Sequence, residues 1–253
     1  MLSIIIPTFQ SHGLLDQAIN SVQAQTVADW EIVISPDDGL DYSYLQARDA
    51  RIRVVQSTAV ATGAGPTRNR ALAQVLGTAV AYLDDDDELS SNYVEAVLNV
   101  LDTELAVVVP TRYDNIRTIG LGAKKITITQ FGKMLGSLHV ATRREHFPKW
   151  LNCFAEDVVH TCCVIEQQGG TIRVIADAEY VAHVRDTGMC ATNKNINSSY
   201  DAIIQQSTHK ETTELFQYRK RVNQLYEQSG QTQNYHAFVR HLTTNEISSI
   251  IHF

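Results

Sequence analysis

Ala79-Val80-Ala81-Tyr82-Leu83-Asp84-Asp85-Asp86-Asp87-Glu88-Leu89 joins an apolar run directly to five successive carboxylates. The run has the length and composition of a buried strand. At ~4 Å and an effective dielectric near 20, adjacent like charges repel by roughly 4 kcal/mol per pair. A fold that concentrates them needs a counter-cation or raised carboxyl pKa values. Along an extended chain Asp84 and Asp86 face one way and Asp85 and Asp87 the other. An Asp-x-Asp pair can therefore converge on one hard divalent cation, leaving coordination positions for phosphate oxygens. Ligands bind at the carboxyl ends of strands in open α/β sheets, which supports metal binding by Asp84 to Asp86. The competing account is a solvated turn decorating the N-terminus of a helix that begins near Ser90 or Ser91, and Glu88 is assigned that role alone.

Outward from this stretch, short β-branched runs alternate with segments of helical period. Leu2 to Ile6 precedes a helix from Leu14 to Gln25; Glu31 to Ser35 and Ile52 to Val55 precede a helix from Pro66. Leu15, Ile19 and Val22 recur on one helical face, as do Leu72, Val75 and Leu76. The rhythm predicts an α/β protein built of βαβ units, its sheet mostly parallel and flanked by helices. Downstream come a helix from Asn92 to Leu101, a strand from Leu105 to Val109, and short strands and loops over 111–150. A helix from Ala155 to Gln168 closes at Gly169-Gly170, and a strand covers 171–175. After about residue 187 the composition shifts to Gln, Asn, Ser and Thr. Helical spacing at Leu215, Tyr218, Val222 and Leu225, and at Phe238, Val239 and Leu242, predicts a helical tail; Asn193 to Asn197 reads as a linker or a mobile loop.

The 253 residues are 44% hydrophobic and 19% charged, an ordinary globular composition rather than a disordered one. The net charge is −7, which supplies no field to collect nucleic acid. The first 184 residues hold 14 Lys and Arg against 22 Asp and Glu, and the remainder 7 against 6. No apolar run approaches a membrane span, and the opening apolar stretch stops at Pro7 without a basic flank or cleavage site. The expectation is a cytoplasmic protein. Four cysteines, two of them adjacent, form a poor disulfide framework, and without a C-x₂-C pair they do not read as zinc ligands. Gly63-x-Gly65 lacks the third glycine of a dinucleotide fingerprint, and no P-loop occurs.

Several of these segments together resemble family 2 glycosyltransferases, whose nucleotide-binding domain has the GT-A fold. Residues 3–9 (SIIIPTF), the following helix and strand, and Asp37-Asp38-Gly39 resemble the family's first strand, first helix and nucleotide loop. Residues 65–72 (GPTRNRAL) resemble its Arg-Asn helix start, and residues 82–89 its Asp-x-Asp motif. Phe154-Ala155-Glu156-Asp157 is similar to its acceptor-site Glu-Asp motif, and Tyr180 to His183 with Gly188-Met189 to a later Tyr/His segment. Gln10 stands where the family usually has Asn, Pro36 precedes the Asp-Asp-Gly, and Leu40 replaces a usual Ser or Thr. The resemblance implies a GT-A domain over 1–187, with a nucleotide-sugar half over about 1–110 and an acceptor half over about 111–187. A helical C-terminal extension occupies 188–253.

It implies an inverting, metal-dependent transfer of sugar from a nucleoside diphosphate, UDP, to a hydroxyl acceptor in polysaccharide or glycoconjugate synthesis. Pro7, Thr8, Phe9 and Asp38 would hold the nucleoside, Arg68 and Asn69 the base or phosphate, and Asp84 and Asp85 the nucleotide sugar. Mn²⁺ or Mg²⁺ would be ligated by Asp86 with Asp84, and His183 is a further candidate. Arg185 is a candidate phosphate partner. Asp157 would be the base that takes the acceptor's proton; charge at a helix start is its bland alternative. The partners implied are a nucleotide sugar and a saccharide or lipid-linked acceptor, not nucleic acid. Arg219-Lys220-Arg221 with Ile250, Ile251 and Phe253 leave open a peripheral contact with the inner face of the membrane, a homodimer contact, or packing on the parent domain. The alternative function is a GT-A-like protein that binds nucleotide or metal without transfer.

Overall fold

The seven residues of β1 (Leu2–Thr8) and of β2 (Trp30–Pro36) are buried throughout in the computed structural model, which describes residues 1–11, 13–185, 195–230 and 234–242. Strands covered on both faces have no solvated side, hence their unbroken apolar runs. With β3 (Ile52–Val54), β4 (Ala79–Tyr82), β6 (Ala106–Val108), β9 (Lys125–Thr127), β10 (Val140–Arg143) and β11 (Thr171–Val174) they form an eight-stranded sheet of order β3-β2-β1-β4-β10-β6-β11-β9. Strands β3, β2, β1 and β4 are parallel, β10 runs against both β4 and β6, and β11 is parallel to β6. A smaller sheet has the order β5-β12-β7-β8, from Glu88–Leu89, Tyr180–Ala182, Thr111–Tyr113 and Arg117–Ile119. The mixed, mostly parallel α/β architecture is the one expected.

From β1 the chain winds outward to β2 and β3, then returns to β4 on the other side of β1. Such a reversal opens a crevice at the carboxyl ends of the two strands. The β1–β4 ladder ends at Ile5 and Tyr82, whereas β1 stays paired with β2 to Thr8 and Pro36. The segments Pro7–Phe9 and Leu83–Asp87 therefore flank that crevice. Helix α1 (Leu14–Gln23) buries Leu15, Ile19 and Val22 as the periodicity requires. Helix α2 (Ala64–Leu72) begins two residues before the expected Pro66, which lies in its first turn, where its missing N–H costs nothing. Gly63 leads in at φ 97°, in the left-handed region that favours glycine.

Gly65 permits a close approach between backbones: a Cβ there would lie 2.1 Å from the Leu151 carbonyl oxygen. Because neither partner is the end of a flexible side chain, Gly65→Ala is expected to destabilise by about 2 kcal/mol and to lower the melting temperature by roughly 4–8 °C. A wild-type melting curve for that variant would contradict this contact.

Helix α3 (Tyr93–Leu101) starts slightly later than expected and has no cap from its own Asn92. Gln25 serves instead, accepting from the Val94 N–H at 2.8 Å and donating to the Ser90 carbonyl at 2.8 Å. Two features of 111–150 differ from the expected strands and loops. Helix α4 (Ile128–Met134) lies there, held by a capping box between Thr127 and Gln130, and β10 enters the main sheet between β4 and β6. Helix α5 (Glu156–Gln167) buries Val158, Val159, Cys162 and Ile165 on its inner side, so Cys162 is a core residue. Cys153, Cys162 and Cys163 are free thiols.

Of the expected linker, Asn195 precedes and Ile196 and Asn197 open helix α6 (Ile196–Gln206), while 193–194 lie outside the described residues. Helices α7 (Lys210–Gln228) and α8 (Tyr235–His241) follow. Tyr200, Leu215 and Phe216 join the core of the α/β layers, and Tyr218, Val222 and Val239 pack with Leu135 in a second cluster. Arg219 is buried and Lys220 is paired with Asp201, so two members of the expected basic anchor are engaged within the protein. Ile250, Ile251 and Phe253 lie outside the described residues. Among the described residues no helix is long and apolar enough to cross a membrane.

Candidate active site

At the carboxyl end of β1, Pro7 and Thr8 are buried and Phe9 is 48% exposed. The Phe9 N–H donates to Asp85 Oδ2 at 3.2 Å, tying the two sides of the crevice together. Gln10 follows at φ 57°. Asparagine tolerates this region better than glutamine does, which gives the Gln10 departure a local cost. Asp38 closes the neighbouring loop: it accepts from the N–H groups of Gln10 (2.9 Å) and Leu40 (3.0 Å) and from the Tyr42 hydroxyl (2.8 Å). Burial disfavours its charge, but these donors outweigh burial and hold the carboxyl below its usual range. Asp37 fixes the entrance to α2, accepting from Thr62, Arg70 and the Gly63 N–H.

The acidic turn after β4 is organised from β12. The Tyr180 hydroxyl accepts from the Asp84 N–H at 3.0 Å and donates to Asp87 Oδ2 at 2.8 Å, while the His183 N–H donates to Asp87 Oδ1 at 2.8 Å. Asp87 is only 6% exposed; burial first, then the charges of Asp84 and Asp86, push its carboxyl well above the usual range. Burial also raises Asp85. Asp86 is pushed up to about 6 by burial and by Asp84 and Asp85, against the opposing Arg185. Asp84 differs: burial works against its charge, but Arg68 and then His139 keep it below the usual range. Arg185 lies 3.2 Å from Asp86 Oδ2, so its partner is the acidic turn itself.

Asp84, Asp87 and His139 bring ligand atoms within 4.8 Å of one another. His139 is buried, its ring stacked on Tyr180 at 3.4 Å, and burial holds it down to about 4 against the pull of Asp84 and Asp157. With both Asp87 oxygens taken by hydrogen bonds, the more open pair is Asp84 and Asp86, whose side chains are 33% and 32% exposed. His183 is turned elsewhere: Nδ1 lies 2.8 Å from Asp114 and Nε2 2.8 Å from Glu88. Glu88 thus belongs to β5 and contacts His183 and Gln17, in place of the expected helix-end role.

Arg68 is 3% exposed and bridges two carboxylates, Asp84 at 2.5 Å and Glu156 at 2.6 Å, with its guanidinium 4.5 Å from the centre of the Trp150 ring. Asn69 is engaged with the backbone of Trp150, donating to its carbonyl and accepting from its N–H, each at 2.9 Å. These two residues join α2 to Trp150 and to the first residue of α5. Ala155, at φ 55°, turns the chain into that helix. Glu156 then points to Arg68, and Asp157 accepts a hydrogen bond from the Ser137 hydroxyl. Asp84 lies within one cluster with His139, and Arg68 joins Asp84 to Glu156, the residue next to Asp157, so the two ends of the site are linked through one buried guanidinium. The structure therefore gathers Phe9, Asp85, Asp84, Arg68 and Asp157 around one crevice and leaves the Asn69 and His183 side chains on structural partners. Sequence reasoning did not select Ser137 or His139; both lie in 111–150, and no local spacing marks them.

The family model for glycosyl transferase family 2 matches residues 3–165, well over half of the chain. The chain belongs to glycosyl transferase family 2. Among curated relatives of this family, the Campylobacter jejuni GalNAc(5)-diNAcBac-PP-undecaprenol beta-1,3-glucosyltransferase is 37% identical over 102 residues, 38% of this chain and 33% of that protein. The Escherichia coli UDP-Glc:alpha-D-GlcNAc-diphosphoundecaprenol beta-1,3-glucosyltransferase WfgD is 33% identical over 104 residues, 40% of this chain and 41% of that protein. The chain thus spans about a third to two fifths of the length of these two relatives. The crystal structure of S. aureus TarS 1-349 in complex with UDP-GlcNAc covers 97% of this chain and 77% of its own, with a TM-score of 0.67 and 19% identity. That likeness establishes a shared fold.

Proposed function

We propose that the chain transfers a sugar from UDP to a hydroxyl of a saccharide or lipid-linked acceptor, with inversion at the anomeric carbon, in polysaccharide or glycoconjugate synthesis. The observation that supports this reading is Arg68, which bridges Asp84 of the acidic turn after β4 and Glu156, the neighbour of Asp157 at the start of α5. Family membership supports the reaction class, and the names of the relatives support the substrates. WfgD is named for UDP-Glc, the TarS structure holds UDP-GlcNAc, and both glucosyltransferases are named for undecaprenol-linked compounds.

The donor set fits Mn²⁺ or Mg²⁺. Four aspartates close β4, with Arg68 on Asp84 and Arg185 on Asp86 as their cationic partners; burial first and their mutual charge second raise Asp86 and Asp87, and hard oxygen donors suit these ions. Asp86 with Asp84 would hold the ion. When bound, it supplies a Lewis acid that neutralises charge on the departing diphosphate. Asp157 takes the proton of the acceptor hydroxyl as that oxygen bonds to the anomeric carbon and the bond to the diphosphate oxygen breaks. One displacement with one base inverts the centre.

A nucleotide-release assay over UDP-, GDP- and TDP-sugars, with and without Mn²⁺, tests the reading. UDP release that requires Mn²⁺ and is lost in Asp86→Ala is expected. Equal release with and without the ion would reject the metal role, and no release from any donor in the panel would reject the transferase.

A further inference from the structure

The turn from Met134 to Leu138, between α4 and β10, is held through its carbonyl groups. Arg117 donates to Met134 at 2.7 Å and to Leu135 at 2.5 Å. Arg219 of α7 donates to the Gly136 carbonyl at 2.7 Å, and Thr161 of α5 to that of Leu138 at 2.7 Å. The Tyr113 hydroxyl accepts from the Ser137 N–H at 2.6 Å and lies 3.4 Å from the Ser137 carbonyl, to which it donates. Leu135 sits at φ 52°, a conformation that a branched residue keeps only where its surroundings fix it. Every carbonyl of the turn thus has a side-chain donor, contributed by β7, β8, α5 or α7. A simple connection between a helix and a strand needs no such definition. What the turn delivers to the site is the Ser137 hydroxyl, which donates to Asp157.

We propose that α7, outside the matched family region, is part of the catalytic apparatus. Arg219 is a positioning residue: by gripping the Gly136 carbonyl it places Ser137, whose hydroxyl orients the Asp157 carboxylate toward the acceptor. The inference rests on the reading of Asp157 as base. Packing alone does not require a guanidinium at this place. Arg219 is 5% exposed with its charged group 5.0 Å from the centre of the Phe131 ring, so a methionine keeps the apolar packing and removes the donor to Gly136, at the cost in stability of an unmade buried hydrogen bond.

The test uses the full chain and the UDP-sugar that the wild type turns over, with kcat, donor KM and thermal melting measured for each variant. Ser137→Ala and Arg219→Met are expected to lower kcat by roughly 10- to 10²-fold with donor KM unchanged, as displacement of a reacting group does. Ser137→Thr and Arg219→Lys retain one donor for the same acceptor and should recover most of the rate. The double variant should lose no more than Ser137→Ala alone, because both changes act through one hydroxyl. Wild-type kcat in Ser137→Ala or Arg219→Met, with Asp157→Asn inactive, overturns this inference alone. A kcat loss that follows the melting temperature and is not recovered by Lys or Thr also overturns it. Wild-type kcat in Asp157→Asn removes the base reading and this inference with it.

Discussion

Asp157→Asn is expected to lower kcat by roughly 10²–10⁴-fold, the usual contribution of a positioned general base, while donor KM stays near the wild-type value. The substitution preserves shape, and the asparagine carbonyl oxygen still accepts the Ser137 hydroxyl, so the group stays in place but no longer takes a proton. Asp157 is the second residue of α5, where a negative charge is favourable. If that were its whole role, the loss would be about 0.3–1 kcal/mol of stability and little rate. The two accounts differ by orders of magnitude in kcat, so single-turnover kinetics with a parallel melting curve separates them. Glu156 is a poor substitute: its side chain is 11% exposed and bonded to Arg68 at 2.6 Å. A folded Asp157→Asn protein that turns over at the wild-type rate would exclude Asp157 as the base.

What the sequence made legible is what physics writes locally. β1 and β2 are buried on both faces, so their apolar runs needed no partner to be recognised. The carboxylates after β4 are contiguous, and their mutual repulsion follows from spacing alone. The strands β7, β8 and β9 have three residues each, too few for a period of two to emerge. Helix α4 did carry a local signal, Thr127 followed three residues later by Gln130, but seven residues present too little apolar face to confirm it. The features of the site that escaped are the pairings made across the chain. Ser137 matters through Asp157, 20 residues on, and the partners of Arg68 are Asp84 and Glu156, 16 and 88 residues away. The place of Arg68 in the motif was visible in the sequence, and its carboxylate partners were not.

Arg68→Met follows from that arrangement and is expected to be the most destabilising single change in the site. Removing one member of a buried ionic cluster leaves its partners charged and desolvated, which typically costs about 3–5 kcal/mol. Asp84 is 33% exposed and Glu156 11%, so solvent screening on the Asp84 side places the expectation near the lower end, about 3 kcal/mol. For a chain of this size that lowers the melting temperature by roughly 6–12 °C. The dependence on pH has a definite sign. In the wild type, burial opposes ionisation of Asp84, yet Arg68 keeps its carboxyl below the usual range. Its contribution is therefore present above the unfolded pKa near 4 and is lost as pH falls through the lowered value. In the variant, burial acts without the guanidinium: Asp84 rises above its unfolded value, and Glu156, already raised by burial in the wild type, rises further. The penalty then stands at neutral pH and shrinks as they take up protons. The gap in melting temperature should be widest at about pH 7.5 and narrow toward about pH 5. Adding Glu156→Gln should recover part of it at neutral pH, because one of the stranded charges is gone. A gap of the same size at both pH values, or no gain from Glu156→Gln, would show that Arg68 acts by packing against Trp150 and Tyr82 and not by joining the two carboxylates.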